Sequence, residues 1–238
     1  LGGIGFLTWE DFYTNKFKFK RYRMQSKVIL ITTAILIIAP AVFFFACDFG
    51  NLPAGKRLLA SVFQSVTTRT AGFNTEDLSL MTEAGKAVMI LLMLIGGSPS
   101  STAGGMKTTT FAVLILNALA TFRSREDAGA FGRRFDGQVV KNAATIAMMY
   151  FMLFFFGGIT ISVYEGLPLL TCLYEAASAV GTVGLTLGIT PELHIISRLI
   201  LIALMYLGRV GGMTLIYAVF SRKNNNGAKM PLEKITVG

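Results

Sequence analysis

The sequence predicts an all-α membrane protein made of two successive helix, re-entrant loop, helix units. Three observations carry this: apolar runs long enough to cross a hydrocarbon core, one order of segments that occurs in both halves, and basic residues concentrated in alternate connections. The runs are residues 28–47, 139–164 and 194–220, each near or above the roughly 20 residues that a spanning helix needs. The chain is 53% hydrophobic and 15% charged, with a mean hydropathy of +0.60. A soluble domain carries about 25% charged residues. No charged leader with a small-residue cleavage site is visible at Leu1, Gly2 and Gly3, and residues 1–6 read as the tail of an earlier apolar helix of a longer protein.

The formal net charge of +9 raises nucleic acid as a partner, and the placement of the charge argues against it. Basic residues gather at 16–27, 123–141 and 222–234, the segments that share one side if the apolar runs alternate. Fewer lie on the other side: Lys56, Arg57, Arg69, Lys86 and Arg198. The richer side is cytoplasmic by the positive-inside rule. The charge reports topology, and no nucleic acid partner is expected. Cys47 and Cys172 each end or begin an apolar run and belong to no metal spacing.

Each half then follows one pattern. The span at 28–47 is followed by a break rich in glycine and proline, a short segment at 57–68, a loop at 69–74, and a second apolar run from about Glu83 that is interrupted at 96–105 and resumes to Phe122. The second half offers the span at 139–164, a break at 165–168, a short segment at 169–181, a loop at 182–186, and a span at 193–220. A segment too short to cross the bilayer exposes backbone that lipid cannot satisfy, and it survives only inside protein or beside water. Two such segments argue for a pore or substrate path, against the plainer reading of two surface loops with interfacial helices.

The loops carry Thr70, Ala71, Gly72, Phe73 and Asn74, and Thr182, Val183, Gly184, Leu185 and Thr186. Both resemble the Thr-Val-Gly-Tyr-Gly filter of potassium channels, with the last glycine replaced. Such a run aims consecutive carbonyl oxygens at one axis, where they replace the hydration shell of a cation. Gly72 and Gly184 supply the positive φ angles that this demands. A lost final glycine predicts a shorter, looser filter. The expected ion-binding residues are Thr70, Ala71, Gly72, Phe73, Thr182, Val183, Gly184 and Leu185, with K+ as the bound ion.

With residues 67–75, 96–108, 181–186 and 208–214 taken together, the sequence resembles the KtrB/TrkH superfamily of potassium transporters, most like the KtrB-type membrane subunit of bacterial Ktr systems. The resemblance covers nearly the whole chain. It implies the third and fourth of four helix, pore loop, helix units around a pseudo-fourfold axis, with a potassium-channel-like pore. Residues 1–27 would hold the end of a preceding transmembrane helix and a cytoplasmic linker. The third unit would be 28–122 with a broken second helix, a linker 123–138, the fourth unit 139–222, and a cytoplasmic tail 223–238. The resemblance further implies potassium uptake across the bacterial cytoplasmic membrane, sodium as an activator, a homodimer in membrane lipid, and a cytoplasmic ring of RCK-type nucleotide-binding subunits. Ring contact would fall on 123–134 and 222–234, and a dimer contact on 233–238.

The interruption holds Gly96, Gly97, Ser98, Pro99, Ser100, Ser101, Thr102, Ala103, Gly104 and Gly105. Glycine and proline break the helical ladder, and unwound backbone at membrane depth points to function. The resemblance implies a gating loop beneath the filter. The alternatives are a glycine-rich helix-packing face and a phosphate loop, which Met106 and the lack of a preceding strand disfavour. Arg209 stands in an otherwise uncharged span, where a cation costs several kcal/mol unless it faces water, a carboxylate or carbonyls. It is expected to face the pore below the filter and raise the barrier to cations, the alternative being a structural ion pair. Lys107 is expected to snorkel or cap the broken helix. His194 reads as interfacial, the Met and Phe run at 148–156 as lipid-facing, and Glu165 and Glu175 as carboxylates without a specific task. The chief rival function is an alternating-access carrier of another cation. An enzyme is not expected, because no nucleophile, base and metal set is present.

Overall fold

The computed structural model describes residues 2–16, 18–125 and 127–211. Helix α1 (Phe6–Asn15) is followed by a 3-10 turn at Phe19–Arg21 and then by α2 (Met24–Cys47). The first unit continues with α3 (Ala54–Thr67), a 3-10 turn at Leu78–Leu80, α4 (Glu83–Leu94) and α5 (Thr108–Phe122). A two-residue hairpin, β1 (Gly129–Ala130) with β2 (Arg133–Arg134), leads into α6 (Gly137–Glu165), α7 (Leu169–Gly181) and α8 (Ile195–Val210). The expected features at 212–238, including the end of the last apolar run and the basic tail, lie outside the described residues.

Both long helices start before their apolar runs because polar groups finish them. Asp136 caps α6 by accepting the Gln138 N–H. Asp11, buried on α1, accepts from the Arg23 N–H at 3.1 Å and from Ser26 Oγ at 2.5 Å, closing the start of α2 from outside that helix. Residues 2–6 differ from expectation: the helix begins at Phe6 rather than ending there. Gly5 has φ +88°, and Gly2 to Gly5 form a non-helical stretch before it.

The apolar surfaces of α2 and α6 remain mostly outside the protein core, with 17% and 22% of their most apolar stretch buried. Ile35, Ile38, Met148, Phe151 and Phe156 project outward. That arrangement is costly in water and favourable in lipid.

The short helices sit inside. Pro40 in α2 has no N–H to offer the Leu36 carbonyl. Ser65 of α3, fully buried, places its hydroxyl over this gap, 3.4 Å from the orphaned Leu36 carbonyl oxygen and 2.7 Å from that of Ile37, and shares its one hydrogen between the two. Between the units, the Met89 sulfur accepts from Gln64 Nε2 of α3 and from the Tyr174 hydroxyl of α7. The core around Met89, Met93, Tyr174 and Val180 therefore joins both halves.

Candidate ion-conducting site

Beyond the ends of α3 and α7 the backbone takes the same unusual path twice. Thr70 and Gly72 have φ +66° and +75°, and Thr182 and Gly184 have φ +53° and +93°. Left-handed residues at every second position turn successive carbonyls to one side. Glycine does this freely, whereas a β-branched threonine held there stores about 1–3 kcal/mol of strain. The strained backbone of the two threonines is not legible from residue type.

The N–H groups at the middle of both loops are taken by the helix ends. Ala71 and Gly72 donate to the Thr67 carbonyl, Val183 to that of Ser178, and Gly184 to Ser178 Oγ at 3.2 Å. Among the described residues, the carbonyls of Thr70, Ala71, Gly72, Thr182, Val183, Gly184 and Leu185 accept no hydrogen bond. Phe73 differs. Its carbonyl accepts the Thr67 hydroxyl at 2.6 Å, and its ring is 71% exposed. The loops meet: a Cβ at Gly72 would lie 2.0 Å from the Val183 carbonyl oxygen and 3.7 Å from Gly184 Cα. Both short helices end at the loops, so the negative ends of their dipoles point there.

The interruption of the first unit leaves and rejoins one helical line. Gly96 N–H donates to the Met106 carbonyl, and Met106 N–H to that of Leu94, so α4 and α5 are pinched together around an excursion at 96–105. Ser98 Oγ and Thr108 Oγ1, both buried, pair at 3.0 Å across its neck. The loop reaches the second carbonyl run: a Cβ on Gly104 would lie 2.0 Å from Thr182 Oγ1. It also takes the Gly3 carbonyl through the Ser98 N–H at 2.8 Å.

Three cations serve this loop. Arg209 Nη1 donates to the Thr102 carbonyl at 2.8 Å, and among the described residues it pairs with no carboxylate. Lys107 Nζ donates to the Ala103 carbonyl at 2.5 Å, within the loop it follows. Arg69 was counted with the charges of the outer side. It instead lies partly buried behind the first carbonyl loop and donates from Nη2 to the Gly96 carbonyl at 3.1 Å. Its partner is 27 positions away, beyond any local pattern.

Two cavities flank the loops. One, of about 390 Å³, is lined by Arg69, Thr70, Ala71, Gly97 and Thr102. The other, of about 710 Å³, is lined by Glu175, Thr182, Gly184, Met205 and Arg209. Glu175, read from sequence as a carboxylate without a specific task, is only 4% exposed and is fully hydrogen-bonded. On the return from the first loop, the Ser79 hydroxyl and N–H hold the Asp77 carboxyl below its usual range. In the second unit, Glu165 accepts the His194 N–H, and the His194 ring meets Tyr164 edge-on.

A mostly helical fold, in which two long helices with outward apolar faces surround short buried ones, is that of a multi-pass integral membrane protein. The chain belongs to the TrkH family of cation transport proteins, whose model matches residues 12–227. It is similar over its whole length to the potassium/sodium uptake protein NtpJ of Enterococcus hirae, 38% identical and covering 55% of that protein. It is likewise similar to the Ktr system potassium uptake protein B of Bacillus subtilis, 33% identical and covering 54% of that protein. The chain thus spans about half the length of the curated relatives it matches. The crystal structure of the potassium transporter TrkH from Vibrio parahaemolyticus shares the fold, with a TM-score of 0.74 at 18% identity over 92% of this chain and 49% of that one.

Proposed function

We propose that the chain supplies two of the pore loops of a potassium-uptake pathway, with the ion resting on backbone carbonyls of residues 70–73 and 182–185. One observation carries the reading. Two loops with positive φ at matching places lie in backbone contact at Gly72 and Val183, and seven of their eight carbonyls are free of donors. A dehydrated cation needs such oxygens. Phe73, its carbonyl held by Thr67, contributes least, in keeping with a filter shorter than that of a potassium channel. The relatives named for potassium and for potassium/sodium uptake support K+ as the cargo, with Na+ as a second or activating ion.

In this reading residues 96–105 are the gate and Arg209 its lock. The loop abuts Thr182 through Gly104, and Arg209 holds Thr102 while placing positive charge beside the same cavity. The remaining pore loops come from further sequence of the full-length protein, and assembly as a homodimer on a cytoplasmic RCK-type ring belongs to the same proposal. Proteoliposomes holding the full-length protein test it. Rapid K+ flux down its gradient, saturating only at high concentration, supports the pore. Flux obligatorily tied to a second ion supports alternating access instead.

A further inference from the structure

Glu175 sits on α7 one turn before Ser178, and both face the back of the second carbonyl loop. Its Oε1 accepts from Thr186 Oγ1 at 2.6 Å and from the Leu187 N–H at 2.9 Å, and its Oε2 accepts from Thr190 Oγ1 at 2.9 Å. Thr186 Oγ1 in turn accepts the Gly188 N–H at 2.9 Å. The side chain is 4% exposed, and among the described residues no Lys, Arg or His forms an ion pair with it. Burying a carboxylate without a cation is expensive, and three donors are what makes it tolerable. The donors all come from residues 186–190, the stretch that leaves the carbonyl run at 182–185.

The first unit is built differently. Gln64 holds the comparable place on α3, but its Nε2 turns to the Met89 sulfur and its Oε1 is buried with no donor. That loop is tied by the Thr67 hydroxyl to Phe73 instead. The carboxylate brace therefore belongs to the second loop alone among the two.

We infer that Glu175 is a positioning residue that fixes the second loop's outer return and thereby sets discrimination between K+ and Na+ at residues 182–185. It touches no ion. Ser178 anchors the middle of the run through the Gly184 N–H, and Glu175 anchors its end, so the carbonyl spacing between those two points is held from one helix. Discrimination between cations depends on the number, spacing and stiffness of such oxygens. The inference rests on the filter reading given above.

The test uses the full-length protein in cells lacking other potassium uptake, with membrane expression measured first, then K+ and Na+ uptake over a concentration series. Glu175→Asp withdraws the carboxylate by one methylene, about 1.5 Å, so it no longer reaches both ends of 186–190. Glu175→Gln keeps Oε1 for Thr186 and Leu187, and the Thr190 hydroxyl can turn to accept from the amide. E175D is expected to lower the K+ over Na+ ratio about tenfold, the equivalent of one lost hydrogen bond, with E175Q restoring most of it. The ratio staying at the wild-type value in E175D overturns the inference. So does E175Q falling as far as E175D, because charge rather than position would then be at work. Gly184→Ser, run alongside, separates the two readings: if it leaves K+ uptake untouched, the filter assignment itself has failed.

Discussion

Arg209 donates from Nη1 to the Thr102 carbonyl across 2.8 Å, joining the last described turn of α8 to the loop that interrupts the first unit. A guanidinium on an apolar helix is tolerable here because a carbonyl receives it and a cavity adjoins it. It links the second unit to the proposed gate of the first.

Replacing Arg209 with Gln removes the charge and weakens the tie. K+ flux through the full-length protein is expected to rise at least several-fold, since a like charge near the path costs a cation about 1–4 kcal/mol at protein-surface dielectric. Flux assays at matched expression check it, and an unchanged rate counts against the lock.

Gly104 has no room for a side chain against Thr182. Gly104→Ala pushes either the loop or the carbonyl run aside, and overpacking of this kind costs about 1–3 kcal/mol. Reduced K+ uptake is expected, and Thr182→Ala in the same chain, which removes the hydroxyl oxygen 2.0 Å from the added methyl, should relieve part of it. Uptake unaffected by G104A would mean that the loop and the run do not meet in the working protein.

Ser65 repairs the gap left by Pro40. Ser65→Ala leaves a buried carbonyl without a donor and is expected to destabilise the protein by about 1–3 kcal/mol. Thermal unfolding in detergent reads the shift in Tm. Adding Pro40→Ala should recover part of it by restoring the helical donor.

Much of this was legible in the sequence because it depends on residue type at fixed spacing. The apolar runs gave α2 and α6, the glycine and proline clusters marked the breaks, and the paired Thr-x-Gly motifs marked both loops. The glycines were expected to carry the positive φ angles, and they do at Gly72 and Gly184. Contacts between distant positions were not legible. Arg69 looks like any outer charge until its partner Gly96 is in place, and Glu175 looks like any carboxylate on a short helix until 186–190 folds over it. The strain at Thr70 and Thr182 is imposed by the helix ends that consume the loop N–H groups, not by the threonines themselves. The start of the described chain differed for a similar reason: the Ser98 N–H donates to the Gly3 carbonyl from 95 positions away, which no apolar count records.

The central claim is that carbonyls beside Gly72 and Gly184 hold the ion. Gly72→Ala and Gly184→Ala each force a Cβ onto a positive φ, costing about 1–2 kcal/mol, and the first also strikes the Val183 carbonyl. The deciding measurement is the apparent KM for K+ uptake by these two variants of the full-length protein. A rise of roughly tenfold in each, the equivalent of about 1.4 kcal/mol, with Na+ uptake gaining relative to K+, is the expected result. A KM and an ion preference equal to wild type in both variants, at normal expression, would contradict the account.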